Sequence, residues 1–333
     1  MLNPTTMTYE KTGRVARITL NRPHRGNGIT LELPGELAAC VERANLDPEV
    51  HVIALSGNGK GFCGGYDLVE SAERLFDEGG ATDAVHAVPG GHAVPGGHAA
   101  PGGHEAHGAP APATKGSPRD PRVVHANHDP AGVWDPVVDY QLMSRNVRGF
   151  MSLFHSDKPV ICKVHGFCVA GGTDMALCSD LLVIEDDAKI GYPPARVWGV
   201  PTTSLWVHRI GLEKAKRLLF TGDCLSGTEA VAWGLATEAH PADALDVAFE
   251  ALLSRVARLP VNQLVMMKLH LNQTVMAQGL HTSQMLGTFF DGIARHTPEG
   301  YAFQQRAAQV GFKQAVRERD EPFGDHGPST FRG

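Results

Sequence analysis

The sequence predicts an α/β fold, in which a mixed core of strands and helices precedes a region made of helices alone. Three observations support this prediction. First, a strand, a helix and a second strand follow one another within residues 15–56 and lead into a glycine-rich loop. Second, another apolar strand pattern at residues 159–164 leads into a second glycine-rich segment. Third, the apolar spacing from Pro241 to Gln314 is helical, and no strand pattern is evident there.

The elements of the first unit can be placed from local patterns. Residues 15–20 are predicted to form a strand, because apolar residues recur there and Asn21-Arg22-Pro23 interrupts the pattern. Apolar positions within residues 33–44 have the spacing of a helix. The apolar run 51–56 indicates a buried strand, and the sequence Gly-Asn-Gly-Lys-Gly at 57–61 forms the loop that follows.

Downstream of residue 134 the alternation of strands and helices resumes. A long helix, a buried strand, a short helix and another strand are predicted at 137–154, 159–164, 174–178 and 181–184. Two further helices are predicted at 212–220 and 228–233, the second capped by Ser226 or Thr228. We therefore expect a core over residues 1–242 and a helical C-terminal oligomerisation region over 243–333.

Between these units, residues 77–130 have a biased composition. The hexapeptide His-Ala-Val-Pro-Gly-Gly starts at His86 and again at His92, and a variant follows at His98. Such a segment buries too little apolar surface to offset its ordering entropy, so we expect a disordered insert. The periodic histidines could bind metal. However, Pro-Gly-Gly units do not fix ligands in space, and we expect a solvated loop and no metal site.

Composition excludes several classes of function. With 42% hydrophobic and 20% charged residues, the chain is expected to be globular. Its net charge of -6 and the lack of a basic stripe argue against a nucleic-acid partner. No apolar run reaches the ~20 residues that cross a bilayer, so no membrane association is expected. The start, Met1-Leu2-Asn3-Pro4, lacks a signal-peptide pattern, which indicates the cytoplasm.

The two glycine-bearing segments, residues 61–68 and 165–174, are the parts of the sequence that indicate chemistry. Backbone N–H groups at a helix start lack intrahelical partners, and glycine lets a ligand approach them closely. Two such turns facing one pocket would supply two N–H donors to a carbonyl oxygen that gains negative charge during a reaction. Taken singly, either segment could equally be a tight packing turn.

Together with other motifs in a fixed order, these segments show that the sequence resembles the enoyl-CoA hydratase/isomerase (crotonase) superfamily. The resemblance covers most of the chain outside the insert and implies a crotonase-like ββα spiral core. The motifs that carry it are Asn21-Arg22-Pro23, Asn27, Gly59 to Leu68, Lys158 to Ile161, His165-Gly166, Gly171 to Asp174, Cys178-Ser179-Asp180, Gly191-Tyr192-Pro193, Arg209-Ile210-Gly211, Leu219 to Gly222, Ala230 to Gly234 and Glu299-Gly300 before Phe303.

The resemblance also implies roles for individual residues. The backbone N–H groups of Tyr66 and Gly171 would form the oxyanion hole for an acyl-CoA thioester. Asp174 falls at the position of a catalytic glutamate and could transfer a proton in its place. Ala170 departs mildly from the glycine that begins the family's triplet. The expected substrate-binding residues are Arg25, Gly28, Gly65, Asp67, Leu68, Gly172, Arg196 and Trp198.

The reaction itself is less constrained, because the family's second catalytic glutamate is replaced by Pro194. Proline cannot transfer a proton. Hydration of a 2-enoyl-CoA remains the leading hypothesis, followed by enoyl-CoA or dienoyl-CoA isomerisation and then by thioester hydrolysis. A non-catalytic acyl-CoA or RNA binder is the remaining alternative. The resemblance further implies fatty acid metabolism, a homotrimer or dimer of trimers (a homohexamer), and no cofactor apart from the coenzyme A of the substrate.

Overall fold

A computed structural model describes residues 4–67 and 116–324, and it has the α/β core and helical C-terminal region that the sequence predicts. Leu68 and residues 77–115 of the expected insert lie outside the described residues. The strands of the described ranges are β1 Met7–Thr12, β2 Val15–Leu20, β3 Val52–Gly57, β4 Val160–Val164, β5 Phe167–Val169, β6 Leu181–Glu185, β7 Lys189–Gly191, β8 Cys224–Leu225 and β9 Glu238–His240.

The helices of the described ranges surround these strands and then continue alone to the C-terminal side. They are α1 Leu33–Leu46, α2 Pro121–Asn127, α3 Pro136–Phe154, α4 Gly171–Ala176, α5 Trp206–Ile210, α6 Leu212–Thr221, α7 Gly227–Trp233, α8 Ala242–Ala257, α9 Val261–Ala277, α10 Leu280–Arg295, α11 Pro298–Val310 and α12 Phe312–Asp320. None of the helices in this part of the chain is long and apolar enough to cross a membrane.

The larger sheet has six strands in the order β1-β2-β3-β4-β6-β9. Only β1 and β2 pair antiparallel, and the other neighbours are parallel. Its central strands β3, β4 and β6 are mostly buried because both faces of the sheet are covered. In β3, Ile53 and Leu55 join the main core, whereas Val52 and Ala54 pack with Phe249 of α8 on the other face.

Several short or exposed strands were missed by the sequence analysis. Strand β1 has a single buried residue, Met7, so it lacks the alternation that marks a half-buried strand. Strands β5, β7 and β8 have only two or three residues each, too few for a periodic pattern. They form a second, three-stranded sheet in the order β5-β7-β8.

One prediction about the insert is wrong in its extent. We expected disorder through Pro130, but residues 121–127 form α2. The helix begins after Asp120, whose side chain accepts a hydrogen bond from the Arg122 N–H, and a proline occupies its first turn. This pattern is a normal helix start, and the surrounding Pro- and Gly-rich composition obscured it.

The smaller sheet positions the second glycine segment. Strand β5 runs into Ala170 and then directly into α4. The Ala170 N–H donates to the Gly191 carbonyl at the end of β7. Cys63 of the first glycine segment pairs with Cys168 of β5 through an isolated bridge. The two glycine segments therefore meet at one edge of this sheet.

Candidate active site

The first glycine segment is a loop whose backbone is fixed on both sides of Tyr66. The Ile29 N–H donates to the Gly65 carbonyl, and the Asp67 N–H donates to the Ile29 carbonyl. The Gly64 N–H donates to the Gly26 carbonyl. Within the described ranges, the Tyr66 N–H has no backbone acceptor, so it is available to a ligand.

Asn27 organises this loop through its side chain. Its amide nitrogen donates to the carbonyls of Asn58 at 2.8 Å, Gly61 at 3.1 Å and Phe62 at 3.0 Å. Its amide oxygen accepts from the Arg22 N–H. Asn27 is buried and has a φ of 54°, in the left-handed region that asparagine tolerates. In the sequence, Asn27 stands out only as part of the resemblance, because these contacts depend on the folded loop.

The second glycine segment is the start of helix α4. Ala170 precedes it with φ 55° and ψ −130°, a conformation that strongly favours glycine. Gly171 and Gly172 supply the first N–H groups of the helix, whereas the Thr173 N–H donates back to the Ala170 carbonyl. The N–H groups of the first turn lack intrahelical acceptors, and that of Gly171 has no other backbone acceptor in the described part of the chain.

The two segments are in close contact. A Cβ added to Gly65 would lie 2.8 Å from the Ala170 Cβ and 3.6 Å from the Gly171 nitrogen. A Cβ added to Gly172 would lie 2.6 Å from the Cys63 carbonyl oxygen. Since real Cβ atoms do not come this close to other heavy atoms, glycine is required at both positions for the segments to pack.

Asp174 lies one turn into α4 and is completely buried. One carboxylate oxygen accepts from the Thr203 hydroxyl at 2.9 Å and from the Thr203 N–H at 3.3 Å. Burial raises the pKa of Asp174 to about 7, against the lowering effect of the Thr203 hydrogen bonds, and the negative charge of Asp291 adds to the rise. A carboxyl group that titrates near neutral pH can both accept and return a proton.

A second buried carboxylate, Asp291 on α10, was not predicted from the sequence. Its side chain accepts from the Val200 N–H at 3.3 Å and pairs with Arg295 at 3.3 Å. Burial raises the pKa of Asp291, although the Arg295 charge opposes the rise. The segment 200–203 therefore holds both Asp291 and Asp174. No local pattern marked Asp291, because its neighbours come from distant parts of the chain.

This geometry agrees with comparisons to known proteins. Residues 10–86 and 137–303 match the sequence profile of the enoyl-CoA hydratase/isomerase family. The chain belongs to that family. The family consists of hydratase and isomerase enzymes, and the solved structures below share its crotonase fold.

Three relatives illustrate how close the match is. An enoyl-CoA hydratase from Mycobacterium smegmatis is 51% identical, with a TM-score of 0.82 over 98% of this chain and 96% of that one. An enoyl-CoA hydratase/isomerase from Xanthobacter autotrophicus Py2 is 23% identical, with a TM-score of 0.74 over 96% of this chain and 99% of that one, and shows the fold alone. EchA13 of Mycobacterium tuberculosis carries the name of an enoyl-CoA hydratase. It is 29% identical over 80% of this chain and 73% of its own length.

In this enoyl-CoA hydratase/isomerase family member, the remaining residues expected at the first segment support its loop. Arg25 ends a 3-10 turn, and its carbonyl accepts from the Gly28 N–H. A Cβ on Gly28 would lie 2.9 Å from the Asp67 Cβ. Asp67 is buried and pairs with Arg22 at 3.0 Å. Asp67 was expected to bind substrate, but its contact with Arg22 makes it a support of the loop.

The contacts of Arg196 give no support to the prediction that it binds substrate. Its side chain is 1% exposed and pairs with Asp223 at 3.2 Å and with Asp320 at 3.0 Å. These two carboxylates neutralise the guanidinium group inside the fold, where it links the turn 193–196 to α12. The Trp198 ring packs on Phe303 at a centroid distance of 5.3 Å, so the described contacts place it against α11 and give no support for an acyl-site role.

One cluster in the described ranges could hold a metal ion, since the ligand atoms of His128, Asp139 and His296 lie within 4.8 Å of one another. His296 Nε2 lies 2.9 Å from the Asp139 carboxylate, and Trp134 Nε1 donates to it at 2.8 Å. Although burial acts to raise it, the pKa of Asp139 is lowered to about 2 by the His128 hydrogen bond and the charge of Arg295. Because these donors satisfy the carboxylate, we assign the cluster to structure: it joins the turn after α2 to α3 and α10.

Proposed function

We propose that this protein adds water to the double bond of a 2-enoyl-CoA. The observation that carries the proposal is the contact between the two glycine segments. A Cβ on Gly65, the residue before Tyr66, would lie 3.6 Å from the Gly171 nitrogen, and Asp174 follows one helical turn beyond Gly171; this supports two converging donors, the Tyr66 and Gly171 N–H groups. Two such donors stabilise the negative charge that develops on a thioester oxygen.

The steps of the reaction follow from this arrangement. Water attacks C3 of the enoyl group while Asp174 takes one of its protons, and the electron pair of the double bond moves to the thioester oxygen. The Tyr66 and Gly171 N–H groups stabilise the resulting enolate, and each donor is expected to contribute about 10²–10³ in rate. Asp174 then returns the proton to C2. Its pKa of about 7 suits a group that must hold and release a proton near neutral pH.

A panel of 2-enoyl-, 3-enoyl- and dienoyl-CoA thioesters, incubated with the wild-type protein, tests this proposal. We expect loss of the 2-enoyl absorbance and formation of the 3-hydroxyacyl-CoA, which mass spectrometry detects as the addition of one water. The Asp174→Asn variant is the matched control, since it keeps both backbone donors. Absence of turnover of every thioester, or full hydration by the variant, would overturn the proposal.

Isomerisation of an enoyl- or dienoyl-CoA is the second candidate, and one observation favours it. Pro194 lies in the turn Pro193–Arg196, where the superfamily's second acid is expected, and its side chain cannot transfer a proton. A single base such as Asp174 can remove a proton at one carbon and return it at another. Conversion of a 3-enoyl- to a 2-enoyl-CoA, without gain of mass and without later hydration, would favour this reaction over hydration.

The acyl-CoA substrate, the absence of any further cofactor, the role in fatty acid metabolism, the cytoplasmic location and the division at residue 242 all remain parts of this proposal. A homotrimer or dimer of trimers is supported by exposed apolar side chains on α9 and α10. These are Met266, Met267, Leu269, Leu271, Leu286, Phe289, Phe290 and Ile293. Light scattering should give three or six times the mass of one chain, and the mass of a monomer would contradict the assembly.

A further inference from the structure

The side chain of Tyr66 has a position that its backbone role does not explain. Its ring lies across the second glycine segment, because a Cβ added to Gly171 would be 2.8 Å from the Tyr66 Cε2 atom. The same Cβ would be 2.8 Å from the Ile29 Cδ1 atom. The ring of one oxyanion donor therefore lies against the backbone of the other donor, and the charge of Asp174 acts on its hydroxyl group.

The Tyr66 hydroxyl group is buried and has no hydrogen-bond partner within bonding geometry in the described part of the chain. Most buried hydroxyl groups are hydrogen-bonded, because leaving one unpaired is unfavourable. An unpaired hydroxyl beside a reaction centre is explained most simply by a partner that arrives with the substrate.

Four side chains on three helices influence the pKa of this hydroxyl group. Burial raises its pKa well above the usual value, and the charges of Asp174 and Asp291 raise it further. The Asn146 side chain, which approaches the hydroxyl group without meeting hydrogen-bond geometry, and the Arg295 charge lower this pKa. The net result is a hydroxyl group that stays protonated at neutral pH and can donate a hydrogen bond.

We propose that the Tyr66 hydroxyl group is a second catalytic group, which binds the oxygen atom that is added to C3 of the substrate. This inference rests on the proposed hydration. The attacking water would donate one proton to Asp174 and accept a hydrogen bond from Tyr66, so that its oxygen is oriented toward C3. After the new C–O bond forms, the product hydroxyl group remains in contact with Tyr66 while Asp174 returns the proton to C2.

This contact of Tyr66 with the water would compensate in part for Pro194, which cannot transfer a proton. In a site with a single proton-transfer carboxylate, the water needs a second polar contact to be oriented. Tyr192 is a buried tyrosine near the same carboxylates, since Asp174, Asp291 and Tyr66 all raise its pKa after burial. A Cβ added to Gly199 would lie 3.1 Å from the Tyr192 Cε1 atom, so the Tyr192 ring lies against Gly199, whereas the Tyr66 ring lies against the oxyanion donor Gly171. The geometry therefore favours Tyr66.

The Tyr66→Phe variant tests this role, because it removes the hydroxyl group and keeps the backbone N–H of the oxyanion hole. We expect kcat for hydration to fall about 10²-fold, KM to change little, and the unfolding midpoint in urea to stay equal or rise, since an unpaired group is removed. Tyr9→Phe is the matched control: Tyr9 lies in β1 beneath Arg43, and its variant should keep full activity. A kcat of Tyr66→Phe within twofold of the wild type would overturn the proposal.

A binding measurement separates this role from a structural one. Calorimetry should show that the wild-type protein binds a 3-hydroxyacyl-CoA about tenfold more tightly than the saturated acyl-CoA of equal length, as one hydrogen bond allows. The Tyr66→Phe variant should bind both with equal affinity. If the variant keeps the tenfold preference, the hydroxyl group does not bind the added oxygen. If the wild-type protein hydrates no enoyl-CoA, the proposed hydratase function is itself wrong. That result differs from an error in the role of Tyr66, which would leave hydration by the wild-type protein intact.

Discussion

The two glycine segments contain the same pattern, Gly-Gly-x-Asp, at residues 64–67 and 171–174, but their aspartates have different surroundings. Asp67 pairs with Arg22 at 3.0 Å. Asp174 is bound by the hydroxyl group and N–H of Thr203, and no lysine or arginine of the described residues forms an ion pair with it. The first carboxylate is neutralised by a cation, whereas the pKa of the second is raised to about 7 by burial.

This difference shows how one local pattern supports two roles. In the first segment, the backbone is a loop that needs side chains from elsewhere, namely Asn27 and Arg22, to keep its shape. In the second segment, helix α4 itself orients the N–H groups, so its aspartate is not needed for support. The carboxylate that the fold does not require is therefore the one available for chemistry.

The largest effect is expected at Asp174. Asp174→Asn keeps the shape of the side chain and removes proton transfer, so we expect kcat/KM to fall by about 10³-fold. In the wild-type protein, kcat/KM should rise with pH and level off above about 7, because the carboxylate form is the base. Initial rates of hydration across the pH range measure both effects. A variant that keeps the wild-type rate and pH profile would show that another group is the base.

The same substitution should stabilise the fold at high pH. Because the pKa of Asp174 is raised from 3.8 to about 7 by burial, its contribution to stability is fully present below 3.8 and is lost as the pH rises toward 7. Asp174→Asn removes this loss. In urea unfolding, the free energy of unfolding of the variant should exceed that of the wild type most at about pH 8. The difference should shrink toward about pH 4. An equal difference at about pH 4 and about pH 8 would mean that burial does not destabilise the ionised carboxylate of Asp174.

The next largest effect is expected where the two segments touch. Gly172→Ala places a Cβ 2.6 Å from the Cys63 carbonyl oxygen, so the segments must separate. A shift of about 1 Å between the two donors should lower kcat by about 10²-fold. Gly35→Ala is the control, since a Cβ there meets nothing within 4 Å in helix α1. That variant should be active and slightly more stable in thermal unfolding; equal activity of both variants would show that the contact is dispensable.

A smaller effect on rate is expected at Asp67. Asp67→Asn leaves Arg22 buried with a weaker partner, and we expect about 2–3 kcal/mol less free energy of unfolding. The rate of hydration should fall only about tenfold, because the loop that carries Tyr66 loosens. The pH profile of the rate should keep its shape. Urea unfolding and initial rates measure the two effects. A loss of rate as large as that of Asp174→Asn would mean that Asp67 takes part in the chemistry.

Much of this site was predictable from the sequence, but the limits have physical causes. The long elements, such as β3 and α3, have clear periodicity, and the glycine motifs identify Tyr66, Gly171 and Asp174 as a group through the resemblance. Asp291 and the inward side chain of Tyr66 were missed, because tertiary contacts rather than local pattern define them. The ion pairs of Arg196 could not be predicted for the same reason, because its carboxylate partners Asp223 and Asp320 are distant in sequence.

The smallest effect is expected at Ala170, the residue that begins the second segment. Its φ of 55° with ψ of −130° costs about 1–3 kcal/mol for a residue with a side chain. Ala170→Gly relieves this strain but adds the ~0.5–1 kcal/mol entropy of glycine, so we expect a net gain of about 1 kcal/mol and an unchanged hydration rate. Ala39→Gly in helix α1 is the control and should lose about 1 kcal/mol in urea unfolding. If Ala170→Gly is instead destabilised and slower, then the contact of its Cβ with Gly65 helps to align the two donors. The second segment would in that case depend on a side chain, as the first one does.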